Sequence, residues 1–124
     1  MARWDWPIAF FDSGVGGISI LRRSVRLLPC EDYLYFGDSL HAPYGVRSLD
    51  EVRTLTFGAV APLIERGIKA LVVACNTATS AAISALREAY PDLIVIGTEP
   101  AIKPAVERHA GGRILVMATP MTLK

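Results

Sequence analysis

The sequence predicts an α/β domain, with a doubly wound, mostly parallel sheet carrying helices on both faces. Three observations carry that expectation. Short apolar runs alternate strictly with stretches of helical periodicity. The links between them are short, which implies right-handed crossovers and parallel strands. The apolar fraction is 52%, rich enough for a sheet buried on both faces.

Taken in order, Pro7 to Phe11 reads as a buried strand stopped by Asp12-Ser13-Gly14. Ile18, Leu21, Val25 and Leu28 then recur at helical spacing until Pro29. Tyr33 to Phe36 is a second strand, closed by Gly37-Asp38-Ser39, and a loop follows through Pro43-Tyr44-Gly45. Ser48 with Glu51 three residues later forms a capping box. It opens a helix with the stripe Val52, Leu55, Ala59 and Leu63, bent at Pro62 and stopped by Gly67. Lys69 to Ala74 is the clearest buried strand, and Asn76 to Ala89 an alanine-rich helix. Leu93 to Ile96 predicts a fourth strand, Pro100 to His109 a short helix, and Arg113 to Met117 a fifth strand after Gly111-Gly112. The end, Thr119 to Lys124, reads as the turn into a helix that is not there. The expectation is therefore a piece of a longer protein. The likeness of Ile8–Ser13 to Ile114–Thr119 suggests a second, duplicated copy beginning at the end.

The charge is +1 with basic residues scattered singly, which argues against a nucleic-acid surface. No apolar run approaches the roughly 18 residues of a membrane span, and the start lacks the pattern of a signal peptide. Two cysteines make no disulfide framework, so a reducing cytoplasm is expected. Cys30, Cys75, His41 and His109 share no ligand spacing, and no metal site is expected. Cys30 follows Pro29 at a helix end and reads as structural or incidental, His41 as a plain loop residue, with contact to a ligand from the edge loop as its other reading, and His109 as a helix-end group.

A parallel sheet gathers the ends of its strands along one edge, where such folds bind ligands. Asp12-Ser13-Gly14, Gly37-Asp38-Ser39 and Cys75-Asn76-Thr77 all fall there. Cys75 stands between a strand and a helix, where helix-terminal amides favour the thiolate and a thiol can exchange protons. A buried structural cysteine is the other reading. The hydroxyl- and amide-rich Asn76-Thr77-Ala78-Thr79-Ser80 behind it suits a carboxylate ligand. The turn Asp12–Gly17 likewise has two readings. Gly14 and Gly16, with Asp38 ending the second strand, partly fit a dinucleotide fingerprint, although Ser19 takes its third glycine position. Alternatively Asp12 is a proton partner for Cys75. A cysteine-phosphatase loop is excluded by Ala81, where an arginine would be required, and a receiver-type phosphoacceptor by Cys75 in the aspartate position.

Phe11-Asp12-Ser13-Gly14-Val15-Gly16-Gly17, Gly37-Asp38-Ser39 with Pro43-Tyr44-Gly45, and Ala74-Cys75-Asn76-Thr77-Ala78-Thr79 together resemble the glutamate racemase family in order and spacing. Glu99-Pro100-Ala101 and Lys103-Pro104-Ala105 add to the likeness, which runs from Pro7 almost to the end. The resemblance implies the first lobe of a two-lobe racemase, with residues 1–110 in that lobe and 111–124 opening a second. It implies interconversion of L- and D-glutamate by two thiols on opposite faces of the α-carbon, without a cofactor, in supply of peptidoglycan. Cys75 would be the first thiol, assisted by Asp12. Asp12, Ser13, Tyr44, Gly45, Asn76 and Thr77 would bind substrate, with Thr119 and Thr122 adding contacts. The second thiol has no counterpart here, because Cys30 belongs to a helix–strand connection away from the strand-edge site. A non-catalytic fragment or interaction protein and a nucleotide-binding module are the rival readings, and a homo-oligomer is a candidate assembly.

Overall fold

The computed structural model describes residues 2–123. Four strands, β1 (Ile8–Asp12), β2 (Tyr33–Gly37), β3 (Ala70–Val73) and β4 (Ile94–Gly97), form one sheet in the order β2-β1-β3-β4. Every pairing is parallel, in a register that sets Asp12 beside Gly37 and Phe11 beside both Phe36 and Val73. Four helices connect or follow them: α1 (Ile18–Leu27), α2 (Leu49–Arg66), α3 (Asn76–Ala89) and α4 (Ile102–Arg108).

The chain moves outward from β1 to β2, then crosses back over β1 to β3 and on to β4. Right-handed crossovers in opposite directions put α1 on one face and α2 with α3 on the other. Side-chain alternation along the strands agrees. Ala9, Phe11, Leu71, Val73 and Val95 join Val52, Val60, Ala78, Ala82 and Leu86 in one buried cluster. Burying each larger member of it stabilises the fold by about 1.5–3 kcal/mol. On the opposite face Phe10 meets Tyr33 with ring centroids 6.0 Å apart, and the Tyr33 hydroxyl donates to the Leu28 carbonyl at 2.8 Å, tying down the end of α1. That face is less well covered beyond β1, and Ile94 and Ile96 of β4 are half exposed.

Local signals decide the helix boundaries. Ser48 and Glu51 form the reciprocal capping box of α2, and Gly67 ends that helix at φ +94°, a conformation that suits glycine. The helix continues through Pro62. Its fully buried line is Val52, Thr56 and Val60; Leu55, Ala59 and Leu63 pack alongside, partly buried. The expected fifth strand is absent: residues 112–119 have no regular structure, and Leu115 and Met117 are almost fully exposed. An apolar alternating segment becomes a strand only when a neighbour supplies hydrogen bonds. Here the segment instead runs across the C-terminal edge of the sheet and brings Thr119 to Thr77, their hydroxyls 2.9 Å apart. No helix among the described residues is long and apolar enough to cross a membrane.

Candidate active site

The reversal of chain direction lies between β1 and β3, so the two strands diverge to opposite sides at their C-terminal ends. A crevice opens at such a switch point. Asp12 is the last residue of β1, and β3 leads through Ala74 directly into Cys75, with the Ala74 amide bonded to the Phe11 carbonyl at 2.7 Å. The fold thereby brings a carboxylate and a thiol from positions 63 residues apart to one cleft.

Cys75 is the N-cap of α3. Its backbone is extended, and its Sγ accepts the Ala78 amide at 3.4 Å, in the manner of a serine or aspartate cap. The thiol is buried, at 7% exposure, and donates to the Ser13 Oγ at 3.5 Å. Asp12 is equally buried. Its Oδ2 accepts from the Gly14 and Gly17 amides at 3.1 and 3.2 Å. The glycine turn therefore folds around the chain's own carboxylate, and these amides, which a dinucleotide phosphate would need, already have an anionic partner.

A pocket of about 410 Å³ opens over this pair. Asp12, Cys75, Asn76 and Thr77 line it, together with Thr98, Thr119 and Thr122. Ser13 joins through its bond to Cys75. A ladder of hydroxyls closes one wall, Thr77 to Thr119 at 2.9 Å and Thr119 to Thr122 at 3.0 Å. Gly45 backs that wall, since a Cβ there would lie 2.6 Å from the Thr119 methyl. Thr98 is absent from the sequence-based site, although its position just after β4 was the available signal; its hydroxyl donates to the Val73 carbonyl at 3.0 Å.

Tyr44 lies apart from the pocket lining. It is fully buried, and its hydroxyl donates to the Asp38 Oδ2 at 2.6 Å. His41 Nδ1 lies 2.8 Å from the same carboxylate, and the Asp38 amide donates to the Asp12 carbonyl at 2.9 Å. Reading His41 as a plain loop residue missed this network; Asp38 lies only three residues before it, but the loop conformation that closes the contact is not encoded in that spacing. Burial, followed by the bond to Asp38 and its charge, pushes the Tyr44 phenol far above its ordinary range, so it stays a neutral donor. Burial also opposes the charge on Asp38, but the bonds from Tyr44 and His41 outweigh it and hold the carboxyl below its ordinary value. A depressed folded value stabilises the native state above the unfolded value and is lost as pH falls through the folded one. Asp38→Asn is therefore expected to destabilise the chain by about 2 kcal/mol near neutrality. It should also flatten the loss of stability below about pH 4. Urea unfolding at stepped pH measures both, and identical acid profiles would refute the role.

The chain is similar in sequence and in fold to known proteins. No protein-family model matches the chain. A glutamate racemase of Clostridium botulinum (strain Loch Maree) is 64% identical over 119 residues, covering 96% of this chain and 46% of the relative. The chain thus spans about half the length of the curated relatives it matches. The solved glutamate racemase from Aquifex pyrophilus superposes with a TM-score of 0.85 at 35% identity, over 94% of this chain and 46% of that one. The enzyme from Francisella tularensis, solved in complex with D-glutamate, superposes at 0.80 with 33% identity, over 96% and 44%. In sequence and in fold, the chain is similar to the N-terminal portion of glutamate racemases.

Proposed function

We propose that this chain is the first lobe of a cofactor-independent glutamate racemase, and that Cys75 is one of its two acid/base thiols. In this reading residues 1–110 form the lobe and 111–124 lead into a second. That second lobe supplies the other thiol and closes the cleft. The protein works in the cytoplasm and furnishes D-glutamate for peptidoglycan.

The observation that carries the reading is the buried Cys75 thiol at the β1/β3 switch point, facing Ser13 beside Asp12 in a hydroxyl-lined pocket. The chemistry asks for removal of a weakly acidic Cα–H. The Cys75 thiolate takes the α-proton of D-glutamate, leaving a carbanion, and an acid on the far face returns a proton with inverted configuration. In the reverse direction the Cys75 thiol is the donor. Free amides at the start of α3 and the hydroxyls of Ser13, Thr77 and Thr119 suit the substrate carboxylates. Such fixed donors stabilise charge that develops in the transition state far better than mobile water does. Asp12, held rigidly by two amides, is suited to hold the substrate ammonium or to assist the thiol's proton. Tyr44 and Gly45 act by shaping the wall behind the hydroxyl ladder. Support for glutamate as the ligand comes from the Francisella relative, whose structure contains D-glutamate.

The test uses the chain alone and the chain completed with the remaining segment of the Clostridium botulinum relative. Circular dichroism follows L- and D-glutamate separately. The completed protein is expected to racemise both enantiomers, and the 124-residue chain neither. Racemisation by the chain alone, with its mass verified, would overturn the two-lobe part. A completed protein that folds yet binds neither enantiomer would overturn the glutamate reading.

A further inference from the structure

Tyr35 takes no part in the reading above, yet it touches the turn on which that reading depends. β2 puts Tyr35 and Gly37 on the same face, two residues apart. The Tyr35 hydroxyl donates to the Gly14 carbonyl at 2.8 Å. At Gly37 a Cβ would stand 2.1 Å from that same carbonyl oxygen. The oxygen is therefore lodged between a phenol and a stretch of bare backbone. A Cβ built on Gly14 itself meets nothing within 4 Å, so packing around its α-carbon does not locate the turn. The carbonyl does.

The other groups of this short segment face the site. The Gly14 amide holds the Asp12 carboxylate, and the neighbouring Ser13 hydroxyl accepts from Cys75. Gly14, Gly16 and Gly17 make the turn intrinsically loose. Of the ties that fix it, the bond from Tyr35 anchors it to a separate strand.

We infer that Tyr35 is a positioning residue for the proton-transfer group, setting Ser13 and Asp12 against Cys75 by clamping the Gly14 carbonyl. This rests on the racemase reading of Cys75. Burial, and then the negative charge of Asp12, raise the phenol above its ordinary value, which keeps it a proton donor throughout the neutral range. Loss of the hydroxyl frees the turn to sample positions in which Ser13 no longer covers the thiol.

The test measures alkylation of Cys75 by iodoacetamide as a function of pH, with the Cys75 peptide resolved from other thiols by mass spectrometry. In the chain, Tyr35→Phe is expected to raise the alkylation rate several-fold while the thermal midpoint stays near that of the wild type. Ser13→Ala is expected to do the same, and the double variant to add little beyond either change, which is the signature of coupled positions. Gly37→Ala, which displaces the same carbonyl while keeping the phenolic hydroxyl, although its Cβ also stands 3.3 Å from the Tyr35 ring, serves as a second route to the effect. In the completed protein Tyr35→Phe should lower kcat about tenfold with KM little changed, the pattern of an interaction used in the transition state. Wild-type alkylation rates in Tyr35→Phe and Gly37→Ala, or additive effects with Ser13→Ala, would overturn the inference. If D-glutamate fails to slow alkylation of wild-type Cys75 in the completed protein, the racemase reading falls instead. Protection of the wild type with an unaltered Tyr35→Phe separates the two.

Discussion

Cys75→Ser in the completed protein is expected to reduce racemisation by about three orders of magnitude or more, in line with the loss of a positioned acid/base group. A serine preserves the N-cap, because its oxygen can accept the Ala78 amide as the sulfur does, so α3 keeps its start. Its hydroxyl, however, is too weak an acid to supply an anionic base near neutrality. The fold is thus retained while the chemistry is removed. Cys30→Ser supplies the contrast. Cys30 is exposed, between α1 and β2, at the edge of the sheet opposite the site. Its replacement is expected to leave the rate within about twofold. Initial rates by circular dichroism, with unfolding midpoints for both variants, decide the matter. A damaging Cys30 change beside an innocuous Cys75 change would relocate the site altogether.

Gly17→Ala is expected to destabilise the chain by about 3 kcal/mol, at the upper end of overpacking effects. An added Cβ would stand 2.8 Å from the Ala74 Cβ and 2.9 Å from the Asp12 Cβ. Both neighbours are main-chain-anchored carbons, not flexible side-chain tips, and one immediately precedes Cys75. Relief requires that α1 lift away from the ends of β1 and β3, which also strains the Gly17 amide bond to Asp12. Gly14→Ala, in the same turn, meets open space and should change stability by less than about 0.5 kcal/mol. Urea midpoints at constant m-value separate the two. Equal effects would mean that the turn yields freely and that the close fit around Asp12 has no energetic weight.

What the sequence made legible follows the range of the forces involved. The capping box of Ser48 and Glu51 and the helix starting at Asn76 were read correctly because each depends on residues within one turn. Three polar clusters at strand ends were enough to gather Asp12, Ser13, Cys75, Asn76 and Thr77 at one edge, since a parallel sheet leaves no other arrangement. The fifth strand at 113–117 failed for the opposite reason. Its alternation satisfies the local requirement, but pairing requires a neighbour, and the segment crosses the sheet edge instead. The same limit hid the partner of the Tyr44 hydroxyl. Its bond to Asp38 depends on how the loop between them folds, as the bond from Tyr35 to Gly14 depends on strand register. Composition records neither.

The strand order has a consequence for the persistence of the site. β1 and β3 are each flanked by strands on both sides, while β2 and β4 form the borders of the sheet. Amides of interior strands exchange with solvent only in the larger, rarer openings, whereas borders and irregular segments fray often. Asp12 therefore ends, and Cys75 follows, a strand whose amides are expected to exchange slowest. Thr119 and Thr122, across the same cleft, belong to a segment that lacks any ladder at all. One wall of the pocket is therefore expected to persist through local openings, while the other, held by the Thr77–Thr119 and Thr119–Thr122 hydroxyl bonds and by no strand pairing, is expected to open more often.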